Sequence, residues 1–181
     1  NADNFSSLIL PRKTVFQICA ILSDSNQKLS MQTSENKIKF VIGNMKLVSK
    51  IIDGKFPDYK KVVPANNEKS LMVSTKDFIN SIERVASVSL DRKEGVKLVI
   101  NKENIQLSVN SANSGDGNEV IKANFSSDNL NISFNSKYLT DIASEIEGKN
   151  LKMRLKDSIS PVLIEDEADK NSYYVIMPMK I

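Results

Sequence analysis

Apolar and polar positions alternate along this chain in two rhythms, and the rhythms recur in one order. Residues 139–146, LTDIASEI, place Leu139, Ile142, Ala143 and Ile146 at i, i+3, i+4 and i+7, one face of a helix. Asn135 or Ser136 suits its N-terminal cap and Gly148 its end. Before it, NLNISF alternates as a strand, with Leu130, Ile132 and Phe134 on one side. After it come three strand patterns: LKMRLK with Leu151, Met153 and Leu155 alternating, then PVLIED, then YYVIMP. The order is β-α-β-β-β.

The same order appears twice upstream. SLMV leads to Thr75 as a helix cap, and Phe78, Ile82, Val85 and Ala86 share the next helical face. VKLVI, a turn at 101–104, IQLSVN, a polar loop SANSGDGN and EVIKANF follow. Further upstream, SLIL meets Pro11 at a helix start, where its missing N–H costs nothing. Val15, Ile18, Cys19 and Leu22 form that helix's apolar stripe. KLSMQTS, KIKFVIG and MKLVSKI then read as three strands, with turns at Glu35-Asn36 and Gly43-Asn44.

Starts at Leu8, Leu71 and Leu130 give a period near 60 residues. Each unit carries one helix and a small sheet, each with one apolar face, so it cannot bury itself alone. Two units make a domain. The fold class is therefore α+β, with antiparallel sheets on one side and helices on the other. The second and third units form one domain over residues 67–181, and the first, 1–66, is half of another. PANNEKS, 64–70, reads as the connector. An odd count of units predicts a partner unit before Asn1, in a longer chain.

Composition narrows the function classes. Hydrophobic content of 40% and charged content of 26% suit a globular core. No run approaches the length of a membrane span, and no signal-peptide pattern is present. One cysteine permits no intramolecular disulfide, which fits a reducing, cytoplasmic setting. Histidine is absent, which removes the usual general base and the commonest metal ligand. The 25 basic and 22 acidic residues are interspersed, so the net charge of +3 says little about nucleic acid.

SANSGDGN lacks the Lys-Ser/Thr ending of a phosphate loop and reads as a surface loop. SNQK and SENK match Ser-x-x-Lys but fall in turns. Cys19 on an apolar stripe reads as filler. EDEAD, 165–169, reads as a solvated hairpin loop rather than a metal site.

Two stretches carry a resemblance. IDGKFPDYKKVVP, 52–64, lies between the first two units, and YYVIMPMKI, 173–181, ends the chain. With the tandem β-α-β-β-β order, they closely resemble the bacterial DNA polymerase III β subunit, the sliding clamp. The resemblance runs from LILPRK to Ile181. It implies the DNA-clamp fold, three similar domains per protomer, and a head-to-tail homodimer ring around double-stranded DNA. The present chain corresponds to the second half of the middle domain and the whole third domain. It implies a non-catalytic, cytoplasmic processivity factor with no cofactor. Its partners would be the replicative polymerase, the clamp loader and repair proteins, recruited through a short linear motif.

The resemblance also assigns sites. A hydrophobic peptide-binding cleft would use Val175, Met177, Pro178, Met179 and Lys180 from the tail. Pro57, Lys61 and Val62 would come from the interdomain segment, and Asn135 and Tyr138 from the start of the last helix. Pro161 stands where some relatives carry a serine near the rim. On the residues alone, an apolar strand is more often core, yet methionine's flexible, polarizable side chain suits varied apolar guests. Arg12, Lys13, Lys76, Arg84 and Lys137 would face DNA, through phosphates rather than bases. Solvated helix faces explain each of them equally well. Ser87 and Val88 with Asp116 and Glu119 would lie at the dimer interface, although a core role for Val88 stands beside that reading. Two alternatives remain: a repeat module that binds only proteins, and a metal-dependent hydrolase. The second is opposed by the missing histidine and the lack of a paired-carboxylate frame.

Overall fold

The computed structural model describes residues 7–23, 27–88, 95–111 and 115–180. The chain divides into two compact units, Asn1–Asp58 and Tyr59–Ile181.

The first unit holds helix α1 (Arg12–Ser23) and strands β1 (Leu29–Thr33), β2 (Lys37–Ile42) and β3 (Met45–Lys50) in an antiparallel sheet of order β1-β2-β3. Gly43 supports the two-residue β2–β3 turn with φ of +55°, a conformation costly for other residues. Ile18, Ile38 and Phe40 form a small core, with Leu8, Leu10, Leu22, Leu29, Leu47 and Ile51 packed on it.

The second unit is the repeat written twice: β4 (Lys69–Ser74), α2 (Thr75–Ala86), β5 (Gly95–Ile100), β6 (Asn104–Ser111) and β7 (Gly115–Phe125), then β8 (Leu130–Asn135), α3 (Ser136–Ser144), β9 (Asn150–Leu155), β10 (Val162–Asp166) and β11 (Tyr173–Ile176). A short 3-10 turn, Tyr59–Lys61, precedes them. The eight strands form one antiparallel sheet, ordered β11-β10-β9-β4-β7-β6-β5-β8. Each half gives its first strand to the other half: β4 pairs with β9, and β8 with β5. Phe78, Ile82 and Val85 of α2 and Leu139 and Ala143 of α3 join the inward strand residues in one core cluster. The α+β class and antiparallel pairing agree with the sequence pattern.

The two sheet edges meet. Met179 N–H donates to Ser133 O of β8 at 2.8 Å, three residues after β11 ends. Three residues span at most about 10 Å and hydrogen-bonded strands lie about 5 Å apart, so the β11 and β8 edges lie within about 15 Å. Pro178 has no N–H to extend the contact into a ladder.

Several local expectations are corrected. The α2 cap is Ser74, whose side chain accepts from Asp77 N; Thr75 lies inside the helix and bonds Gly148 O instead. α3 is capped by Asn135 but ends at Ser144 with Glu145 as its C-cap, not at Gly148. SLIL forms only one bridge, Ile9 with Ile52. SANSGDGN is mostly a strand hairpin, with Ser111 opposite Gly115 and Asn110 opposite Asp116; its residues 112–114 lie outside the described residues, as do residues 25–26 of SNQK. PANNEKS lies inside the second unit rather than between the two. Buried Asn67 donates to Arg154 O and Pro161 O, both at 2.9 Å, and the units part before Tyr59. On the α1 stripe, Val15 is 43% exposed and Cys19 is exposed, while Thr14 and Ile18 are buried. Thr14 is held by a 2.7 Å hydrogen bond with Ser49.

EDEAD forms the β10–β11 turn with Glu167 and Ala168 exposed, as expected, but one of its residues is structural. Asp166 is buried and accepts from the backbone N–H groups of Glu147 (2.8 Å), Gly148 (3.1 Å) and Ala168 (2.8 Å), tying the β10–β11 turn to the loop after α3. These bonds, led by Ala168, hold its carboxyl below the usual aspartate range. A depressed native pKa gives stability that is complete above the unfolded value, near pH 4, and lost as pH falls through the folded one. Asp166→Asn is therefore expected to lower the melting temperature at pH 7. It should also flatten its decline below about pH 4, as followed by circular dichroism. At Gly117, a Cβ would stand 2.8 Å from Val85 O and 3.0 Å from Val85 Cα, so β7 and α2 touch backbone to backbone. Gly117→Ala is expected to cost about 1–3 kcal/mol by overpacking, measured by urea unfolding, with little change at pH values from 6 to about 8.

Candidate peptide-binding site and DNA-facing groups

The tail's geometry follows from β11. In β10, Val162, Ile164 and Asp166 are buried, so Leu163 and Glu165 point outward. Leu163 pairs with Val175 and Glu165 with Tyr173, which puts Val175 on the outward face as well. Val162 pairs with Ile176; one further antiparallel step sets Pro161 beside Met177. Met177 is 61% exposed, Lys180 is exposed, and Val175, Pro178 and Met179 are half-buried.

Two flanks meet this strip. The Met179–Ser133 bond places the tail two residues from Asn135, the α3 cap, whose side chain accepts from Tyr138 N at 3.2 Å. Tyr138 itself is 60% exposed. On the other flank, Val63 joins Leu163, Tyr173, Lys152 and Glu165 in an open cavity of about 540 Å³ on the outward sheet face. Val62 and Lys61, next to Val63, are exposed. Pro57 is exposed and belongs to the first unit. The structure thus gathers Val175, Met177, Pro178, Met179, Asn135 and Tyr138 around one end of the sheet, with Val62 close to its outward face.

The sequence reading passed over Ile159, which is 67% exposed in the β9–β10 loop leading into Pro161. Asp157 shapes that loop, accepting from Ile159 N at 3.0 Å and Ser160 N at 2.7 Å, and this holds its carboxyl below the usual range. The available signal was an isoleucine isolated in the polar stretch KDSIS.

The basic residues divide into two groups. Arg84 donates Nη2 to Glu119 Oε2 at 2.8 Å and makes a second, shorter bond through Nε to Glu119 Oε1. That contact, with help from Ser81, pulls the Glu119 carboxyl down to about 2. Lys137 pairs with Asp141 one helical turn on, at 2.9 Å. Arg12 lies over the Phe16 ring, 5.1 Å from its centroid. Lys13 and Lys76 are exposed and make no ion pair among the described residues. The four interface candidates adjoin one another. Val88, half-buried after α2, reaches the space over Gly117, between Asp116 and Glu119 on β7, and Ser87 Oγ donates to Arg84 O. Glu119 is committed to Arg84 within the chain, which joins a residue expected at DNA to one expected at an interface. No cluster of three or more acidic or cysteine side chains suited to a metal occurs among the described residues, and none of their helices is long and apolar enough to cross a membrane.

Family models for the DNA polymerase III beta subunit match the chain in two parts, the central domain over residues 1–58 and the C-terminal domain over 60–180. The beta sliding clamp of Caulobacter vibrioides is 33% identical over 180 residues, covering 99% of this chain and 48% of that protein. The Escherichia coli beta sliding clamp is 31% identical, covering 97% of this chain and 48% of its own length. The Bartonella birtlesii sliding clamp, solved bound to griselimycin, superposes with a TM-score of 0.92 at 36% identity, covering all of this chain and 49% of that one. The chain therefore spans about half the length of the relatives it matches. Its duplicated β-α-β-β-β units and these matches agree, and the chain belongs to the DNA polymerase III beta subunit family, the beta sliding clamps.

Proposed function

We propose that this chain supplies the central and C-terminal domain portion of a DNA sliding clamp. Such a clamp is a non-catalytic factor that encircles duplex DNA as a head-to-tail homodimer ring in the bacterial cytoplasm and holds the polymerase, clamp loader and repair proteins through short motifs. The observation that supports it most is exposed Met177 in a tail whose backbone, at half-buried Met179, is tied to β8 beside Asn135 and Tyr138. Side chains that fill no core but stand on a fixed backbone are pre-organised for an apolar guest. In this reading Val175, Met177, Met179 and Val62 contact the guest's apolar side chains. Pro57 and Pro178 shape the edges, Asn135 and Tyr138 supply polar contacts, and Lys61 and Lys180 meet its acidic or polar residue. The relative bound to griselimycin is consistent with a ligand site in this family.

DNA contact is proposed at Arg12, Lys13, Lys76, Arg84 and Lys137, without base readout. Ring contact is proposed at Ser87, Val88, Asp116 and Glu119.

Two outcomes test the reading. Met177→Ala is expected to weaken a peptide of Gln-Leu-Ser/Asp-Leu-Phe pattern by about tenfold, or 1.4 kcal/mol, with little change in melting temperature. Met179→Ala, half-buried, should weaken binding and lower the melting temperature together. Isothermal titration and thermal melting check both, and undetectable binding by the unaltered chain at millimolar peptide sinks the proposed site. For DNA, retention on duplex at low salt should fall more with Lys13→Ala or Lys76→Ala than with Lys137→Ala, whose charge Asp141 already offsets. A filter-binding salt series reads this directly.

A further inference from the structure

The cavity of about 540 Å³ on the outward sheet face of the second unit has no part in the contacts proposed so far. Its floor is the outward side of β10, Leu163 and Glu165, with Lys152 of β9 beside Glu165. Tyr173 of β11, 45% exposed, forms one wall and Val63 another. The Val63 wall is fixed. Asn67, four residues on, is buried and donates to Arg154 O and Pro161 O, both at 2.9 Å, which pins the segment before β4 to β9 and the start of β10. The β10–β11 turn adds Lys170 and Glu167 at the rim.

The carboxylates around this cavity already have partners. Glu165 accepts from Arg154 Nε at 2.9 and 3.0 Å and lies 3.5 Å from Lys152 Nζ. Asp166 is buried and held by three backbone N–H groups, and Glu167 accepts from Asn150 Nδ2 at 3.4 Å. Lys170 is exposed and makes no ion pair among the described residues. An apolar floor beside one unengaged cation suits an apolar side chain with a carboxylate next to it. The cavity's position says where such a group comes from. Leu163 is the cross-strand partner of Val175, and Val63 follows Val62, so the cavity continues the proposed peptide site. Tyr173 precedes Met177 by four residues, about 13 Å in extended geometry. An extended guest lying along this stretch covers the same distance in four residues of its own, and side chains four apart share a face.

We propose that the cavity is a second compartment of the peptide site. It takes a bulky apolar side chain from the guest's flank, four residues from the one seated on Met177, with an adjacent carboxylate on Lys170. The inference rests on the peptide site proposed above. Once the motif is seated, its flank is held beside the cavity, so the second contact forms within the complex and adds affinity that a free side chain would not show. The motif then fixes where a guest docks, and the flank ranks one guest against another.

Isothermal titration of the 181-residue chain reads this with Gln-Leu-Ser-Leu-Phe alone and with the same peptide carrying a Gly-Ser extension at either end, in which Trp-Asp is stepped outward. At one end and one spacing, the extended peptide is expected to bind at least about tenfold tighter than the short one. Tyr173→Ala and Lys170→Glu change exposed side chains. Each should remove most of that gain and leave the short peptide's affinity unchanged, whereas Met177→Ala should weaken short and extended peptides alike. If Tyr173→Ala fails to fold by circular dichroism, Lys170→Glu decides alone. No gain at any spacing, with the short peptide bound, overturns the second compartment and leaves the peptide site standing. A gain that survives the substitutions also overturns it, because the flank then rests elsewhere. Failure of the short peptide itself to bind at millimolar concentration removes the peptide site and this inference with it.

Discussion

The structure depends on one constraint: a β-α-β-β-β unit has more apolar face and more open sheet edge than it can satisfy by itself. The second unit meets this by reciprocal exchange. β4 is bonded by its own half through β7 and by the other half through β9, and the core of both halves becomes one cluster. Met153 and Leu151 are fully buried, with Leu71 and Val73 of the other half opposite them. The hydrophobic gain, about 25 cal/mol per Å², is thus a property of the pair. The small core of Ile18, Ile38 and Phe40 in the first unit shows the same constraint half met.

A single backbone contact between the chain after β11 and the edge strand β8 explains why an apolar tail stays at the surface. By the internal symmetry, the chain after β11 should run along β8 as β7 runs along β4. It makes the first contact, Met179 N–H to Ser133 O, and Pro178 withholds a donor from the ladder. The backbone is anchored at one point while Met177 remains exposed. Beside it, Asn135 is occupied in capping α3, so the helix start and the tail are held in a fixed relation by two independent bonds. On the proposed function this arrangement favours guest binding, because the surface's shape is set by bonds that do not consume its apolar side chains.

Much of this was legible in the sequence, for physical reasons that also mark its limits. Periodicity reports amphipathic faces, so Phe78, Ile82, Leu139 and Ala143 were read correctly as buried. Val15 and Cys19 carry the same pattern, yet stand exposed, because a pattern says which face is apolar and not whether anything covers it. Composition is a weaker guide. SANSGDGN looked like a loop because glycine and serine dominate it, but Gly117 is a strand residue whose missing side chain lets α2 approach β7. Asp166 looked solvated because it sits in an acidic run; three backbone N–H groups that no local pattern announces draw it inside. The role proposed for the tail rests on resemblance, since alternation alone assigns Met177 to a core it does not enter.

The charges follow the same logic of internal partnership. Arg84 is held by Glu119 and Lys137 by Asp141, so two of the cations on the helices' polar faces are partly neutralised before any polyanion arrives. Paired side chains at 59% and 61% exposure still reach solvent, and a phosphate can compete for them only by displacing a carboxylate. Lys13 and Lys76 meet no such competition among the described residues. On the proposed function this mixture is suited to the task. A ring that moves along duplex must hold phosphates without settling on any of them, and each fully unpaired arginine would add to the salt-dependent affinity that opposes movement. Interspersed acids keep that affinity low, while topological enclosure, rather than contact energy, retains the DNA.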